Sequence, residues 1–337
     1  MPVSSTPSSI WKGVRRTLLS SAGSASYTVK TESDNKVIFS GKAFSAPGAN
    51  SVVAELFDIL APYLHQTFPP IAEVIDQGNS ELQAAWFSRR FIVTYGGTNY
   101  NVDVFADYSY DDNLGAGQIC EDRIYPWIWP DMPLVLSAKY CAAGSVKLLN
   151  GSGTTMDSLT LGTTGAVNIL FAPDSFPNPG GKVRVQLPGS AYSPYYEIRE
   201  ACGGERWALY YVNVFGAWEG MPILGKVRRT DSFVRHVADR AFSRSDSSAA
   251  WSRNYLVEDG IGWEINTGTL SDIQSLKFSR NVPGATLAVL LDCVNGLAYP
   301  VTIASTEVAS YKTISNSGPK PAAYTLKLKL LQDRVRI

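Results

Sequence analysis

Histidine is nearly missing from this chain: only His65 and His236 carry an imidazole among 337 residues. A serine or cysteine nucleophile ordinarily needs a histidine base beside it, and neither histidine sits in a recognisable motif. Cysteine is also scarce. Cys120, Cys141, Cys202 and Cys293 lie far apart and form no CxxC, which excludes a zinc ribbon or a small disulfide scaffold and reads as buried free thiols in a reducing compartment. No GxSxG, HExxH, GxxxxGK[ST] or strand-borne GxGxxG occurs, and Gly115 and Gly117 read as loop glycines. No apolar run approaches the roughly 18 residues of a membrane span, and residues 1–26 hold no apolar core of signal-peptide length. An excess of one charge is missing too. Thirty basic residues balance thirty acidic ones, and scattered pairs such as Arg89-Arg90 and Arg228-Arg229 make no basic face for nucleic acid. The expectation is a chain that is not an enzyme. It needs no catalytic residue, cofactor or metal, and it neither binds nucleic acid specifically nor enters a membrane.

Aromatic and turn-forming residues are abundant. Seventeen Tyr, 8 Trp, 28 Gly and 19 Pro accompany an apolar fraction of 45% and a charged fraction of 18%. That mixture favours short strands and many turns over helical bundles. Few charges and many Tyr and Trp also suit a surface covered by other subunits. The fold class expected is mainly β, with sandwich or barrel domains and a few short α-helices.

Residues 1–26, rich in Ser, Pro, Ala and Gly, read as an N-terminal arm that docks on a neighbour through Trp11. From Tyr27 the pattern has period two. Val53, Leu56, Phe57, Leu60 and Leu64 then fall at helical spacing, with Asn50 or Ser51 as a cap and Pro62 ending the helix. RRFIVTY and NYNVDVF flank Gly96-Gly97, whose paired glycines supply the positive φ of a hairpin turn. The acidic group Asp103, Asp107, Asp111 and Asp112 lacks the order of a calcium loop. It reads as a solvated strand end; a glycosidase has no spacing rule in sequence, and its candidate carboxylates here would be Asp107, Asp111, Asp112, Glu121 and Asp122 around Tyr125–Trp129. Five further strand-like runs fill 113–195. We place a β-rich domain over 27–200, in which 140–200 reads as an inserted or divergent module.

Gly203-Gly204 marks the boundary of a C-terminal β-rich domain over 201–337. There Trp207, Leu209, Tyr211 and Phe215 alternate with Ala208, Tyr210, Val212 and Val214, so the strand is apolar on both faces and is central or covered by another subunit. Residues 221–229 read as its return strand, and 230–244 show helical periodicity in places, at Phe233, Val234, Val237 and Ala238, but fit an extended strand as well. Ser271 and Gln274 form a capping box for a helix whose buried face is Ile273 and Leu276, stopped by Pro283-Gly284. The last strand alternates Tyr324, Leu326, Leu328 and Leu330 with Lys327 and Lys329, which reads as a lysine-guarded edge.

Several stretches in order, IFSGKAFSAPGANSVVAELFDILAPYL, VDVFADYSYDD, WALYYVNVFGAWEGMPILGKVRRTD, WEINTGTLSDIQSLKFSRNV and YPVTIASTEVASYKT, carry a resemblance. Within them DYSYD at 107–111, YVNVFG at 211–216, the basic turn at 226–231 and YKT at 311–313 stand out. Together they resemble tail-associated virion proteins of Bacteroidales-type tailed phages and prophages, similar in architecture to distal-tail or baseplate proteins. The resemblance implies a structural protein of the virion tail, made in the host cytoplasm. It would work as a ring-type homo-oligomer, such as a hexamer, in contact with other tail proteins. The residues expected at its interfaces are Trp11, Trp207, Tyr211, Phe215 and Trp218, with Lys226, Arg228 and Arg229 at a polar rim. The alternative expectation is a carbohydrate-binding or adhesive module that stacks sugars on Tyr125, Trp127 and Trp129.

Overall fold

The structure, a computed structural model, describes residues 9–11, 16–20, 24–32, 35–45, 52–64, 68–84, 88–105, 118–162, 165–200, 204–240, 251–285, 287–310 and 322–331. The chain is mainly β, built of several sheets with, among the described residues, three short α-helices. An N-terminal sheet runs in the order Ser9–Trp11, Thr98–Phe105, Ser88–Tyr95, Ser24–Thr31, Val37–Phe44. Its centre is the hairpin expected at Gly96-Gly97, where φ values of 58° and 79° seat both glycines in the left-handed region. Period-two burial follows from the register. Val29, Phe91, Val93, Val102 and Val104 point to one side, where Leu56, Phe57 and Leu60 complete a separate small core.

The helix expected through Val53 and Leu64 is mostly something else. Val52–Glu55 is a strand paired with Arg16–Ser20, and only Phe57–Leu60 (α1) is α-helical before a 3-10 turn over Ala61–Tyr63. Leu56 at the N-cap offers no side-chain hydrogen bond, and Pro62 stops the ladder. Asn50 and Ser51 lie outside the described residues. A helix that the sequence reading passed over, Ile71–Gln77 (α2), follows Pro70; it buries Ile71 and Val74 and ends on Gly78 at φ 65°.

The remaining sheets pack around one core. Trp127–Ile128, Tyr196–Ile198, Lys182–Gln186, Gly144–Asn150 and Thr155–Leu161 form one sheet. Glu81–Ala84, Gly165–Phe171, Leu134–Cys141 and Gln118–Ile119 form another. A seven-stranded antiparallel sheet runs Trp218–Ile223, Trp207–Val212, Ala288–Asp292, Leu297–Ser310, Ala322–Leu330, Trp251–Leu270, Val227–Arg240. Buried residues on both sides of Gly203-Gly204, from Ile124 and Val146 through Leu209 and Leu328, belong to a single hydrophobic cluster. That turn divides the sequence without dividing the packing. The 140–200 stretch likewise contributes Val146, Leu148, Val183 and Val185 to the same cluster.

Three local expectations change. The return strand is Trp218–Ile223, and the weakly helical stretch after it is extended, as Val227–Arg240. The closing strand Ala322–Leu330 is interior to its sheet, with neighbours on both sides. Lys327 and Lys329 mark a solvent-facing side of that sheet, and Lys327 pairs with Glu307 across strands at 2.6 Å.

One feature departs from compact sheet geometry. Val227–Arg240 pairs with residues 251–265 of the Trp251–Leu270 strand, with one register shift between His236 and Val237, but only 262–270 gain a third strand on the other side, from Ala322–Leu330. Among the described residues, 232–240 and 251–260 have only each other. They form a two-stranded ribbon, nine residues against ten, that continues beyond the sheet.

Candidate functional site

Tyr125, Trp127 and Trp129 form a continuous aromatic cluster of tilted and edge-to-face rings, with centroids 5.1 and 4.8 Å apart. The three residues are only 4%, 6% and 7% exposed, and the Trp129 indole N–H donates to the Trp207 carbonyl at 3.2 Å. The cluster is core. Aromatic rings gain more from packing than from standing in water, and these are held between the Tyr196–Ile198 strand and the large sheet. The sugar-stacking surface expected of them is therefore not present.

The interface candidates divide in the same way. Tyr211 and Trp218 are buried inside the chain's own core, which explains a strand apolar on both faces without a second subunit. Trp207 and Phe215 are half-buried, Phe215 in the turn closed by Asn213 and Gly216. Lys226, Arg228 and Arg229 are exposed, and the first two border a shallow cleft with Glu264, Asn266 and Thr325. The backbone of Trp11 pairs with Phe105 of the same chain, as part of a short parallel edge strand. Asp107, Asp111 and Asp112 lie outside the described residues, as do Cys202, His65 and residues 311–313. Cys120, Cys141 and Cys293 are buried, and burial pushes the Cys141 thiol up to about 11.

The most structured polar assembly is one that sequence reading did not find. Arg123 is buried between the 118–126 segment and the large sheet. Its Nε lies 2.6 Å from Glu121 Oε1, an ion pair without hydrogen-bond alignment, while its terminal nitrogens donate to the carbonyls of Gly220 and Val135. The guanidinium also lies 4.7 Å from the Tyr196 ring centroid, and Tyr196 donates its hydroxyl to Glu121 at 2.6–2.7 Å. Desolvation lowers the pKa of Arg123, but Tyr196, Glu121 and Glu219 outweigh it and hold the cation firmly charged. Glu219 is the lone acid in a strand that is otherwise buried and apolar. It accepts from Asn213 Nδ2 at 2.8 Å and from the Asp122 N–H at 3.2 Å. Burial pushes its carboxyl up to about 7, against the opposing pull of Arg123. Its other oxygen and the Tyr211 hydroxyl have no hydrogen-bond partner. The one signal in the sequence was a single glutamate in an apolar run, which burial must either protonate or supply with polar partners.

Asp122 extends the network outward. It accepts from Arg280 and from Asn281 Nδ2 at 2.8 Å, and Lys277 donates to the Arg123 carbonyl at 2.8 Å. The helix Asp272–Asn281 (α3) is thereby clamped onto the 118–126 segment. Between them opens a cleft of about 680 Å³ with Glu121, Arg123 and Tyr196 at its base and Ile119, Ile124 and Ile273 on its walls. Glu219, whose carboxyl sits near neutrality, does not line this cleft. The charged groups here join segments distant in sequence. Among the described residues no three His, Cys, Asp or Glu side chains are grouped to hold a metal ion.

Set against known protein families and characterised proteins, the chain matches no family model and no protein sequence.

Proposed function

We propose that this chain is a structural subunit of a phage virion, a tail-associated component of distal-tail or baseplate type. It self-assembles into a ring and contacts neighbouring tail proteins. The sequence resemblance motivates the class. The observation that supports it most directly is the two-stranded ribbon of 232–240 and 251–260. An isolated two-stranded ribbon is marginal in water, and among the described residues nothing pairs with its outer edges, whose N–H and C=O groups are suited to accept another strand. A soluble monomer has little reason to keep such an element. A subunit that uses it to grip its neighbour does. The sugar-binding alternative loses its residues, since the rings it relied on are buried.

The test is the mass of the purified chain by size-exclusion chromatography with light scattering, over a wide concentration range. We expect a discrete oligomer that dissociates on dilution. A monomer at every concentration, in a protein that also fails to appear on purified tails by immunogold labelling, would contradict the reading.

A further inference from the structure

We propose that α3 and the cleft beside it are the surface that receives the ribbon of a second copy of this chain. The proposal rests on the assembly reading above and names the two surfaces that meet. The first is apolar and uncovered. Ile273 and Leu276, three residues apart on one face of α3, are 71% and 70% exposed. The cleft next to them has walls of Ile119, Ile124, Pro194 and Ile273, and Tyr192 at its rim is itself well exposed.

These two side chains are not needed to hold the helix. Other residues of the helix do that. Phe278 stacks on Tyr324 with centroids 4.3 Å apart, Asn281 accepts from the Val214 N–H at 2.9 Å, and Arg280 and Asn281 bind Asp122. A capping box fixes the first turn. The helix is thus rigid, and its outward apolar pair gains nothing within one chain. Gln274 and Lys277 border the pair and the cleft, giving the apolar centre and polar rim of a protein interface.

The occupant is argued from topology and size. α3 begins directly after Leu270, at the C-terminal end of the Trp251–Leu270 strand, whereas the ribbon's tip lies at the N-terminal end. At about 3.3 Å per residue that strand spans roughly 60 Å, so the ribbon points away from its own α3. One molecule cannot bring the two together. Two molecules can, head to tail, and a heterologous contact of this kind is the one that builds rings when its rotation closes. The ribbon's nineteen residues, nine plus ten, approach the 20–30 or so that one side of a standard interface uses.

The experiment uses two full-length variants. One is Ile273→Asp with Leu276→Asp, which blocks the helix surface and leaves the ribbon. The other carries Val234→Pro and Val257→Pro, which disrupts ribbon pairing and leaves the helix. Circular dichroism and thermal melting verify that each retains the wild-type fold. Because the first pair is exposed within one chain, the Asp variant keeps a cooperative melting transition. Light scattering is expected to show loss of every species above monomer mass for each variant alone. Mixed together they form a one-to-one dimer that grows no further, because each contributes one intact surface. Wild-type oligomers with an Asp variant that still assembles would overturn this inference and leave the assembly reading standing. Two monomeric variants that do not combine would replace the head-to-tail contact with a symmetric one, and overturn it equally. A wild-type chain that never self-associates would overturn both.

Discussion

Glu219 and Arg123 are the residues at which this chain takes its largest electrostatic risk. An ionised carboxylate with no water around it is expensive, and the nearby guanidinium recovers only part of that cost because Glu121 and Tyr196 also draw on it. The sign of the resulting pH dependence is fixed. The folded-state pKa of Glu219 rises from 4.5 to about 7. Below pH 4.5 both folded and unfolded states hold the proton, and Glu219 contributes nothing to the pH slope. Between there and pH 7 the folded state keeps a proton that the unfolded chain releases, so stability falls as pH rises. Above pH 7 the whole penalty is present, about 3 kcal/mol at most for a shift of this size. Glu219→Gln keeps an oxygen to accept from Asn213 and removes the ionisation. Its unfolding free energy relative to wild type should therefore climb from pH 5 to pH 8, measured by urea denaturation at each pH. A constant difference across that range would mean that Glu219 is ionised throughout.

At the scale of elements, the parts legible in the sequence are those whose determinants are local. Gly96-Gly97 forces its turn whatever surrounds it. Ser271 and Gln274 exchange hydrogen bonds across three residues, the Ser271 N–H to Gln274 Oε1 at 2.9 Å, so the start of α3 could be read directly. Which face of α3 is buried could not be read locally. Ile273 and Leu276 have the spacing of a buried stripe, yet Phe278 and Asn281 are the residues turned inward, because the clamp to Asp122 sets the rotation of the helix. The stretch after Lys226 misled for a related reason. Phe233, Val234, Val237 and Ala238 fit a helix equally well, and the partner strand that decides otherwise begins at Trp251. The candidate site was the least legible part, since Glu121, Arg123, Tyr196 and Glu219 meet only through tertiary packing. Because the cap is local, its energetic weight can be isolated. Ser271→Ala should cost about 1 kcal/mol of stability by chemical denaturation. It should also weaken self-association, since fraying of the first turn displaces Ile273. An unchanged oligomer with lowered stability would separate the helix from assembly.

For the whole molecule, the sequence offers a seam at Gly203-Gly204 that the packing disregards. Four hydrogen bonds show how closely the two sides are joined. Tyr210 donates to the Pro133 carbonyl at 2.7 Å, Arg123 to Gly220 at 3.2 Å, Trp129 to Trp207 at 3.2 Å and Asn213 to Cys120 at 3.2 Å. Each links 120–135 to 207–220 in a buried or nearly buried place, where an unmade hydrogen bond costs more than a made one contributes. A chain cut at this seam therefore leaves both parts with unsatisfied groups on an exposed apolar face. Expressed alone, residues 204–337 should behave as a collapsed state, binding a hydrophobic dye and lacking a cooperative thermal transition. Expressed together, 1–203 and 204–337 should co-purify and regain the cooperative melt, since the contacts that join them are non-covalent and complete. A sharp, independent transition for 204–337 alone would establish the seam as a true domain boundary. It would also move the origin of the assembly surface, because α3 and the ribbon would then belong to a unit able to fold and associate without the 118–126 segment that forms the other wall of the cleft.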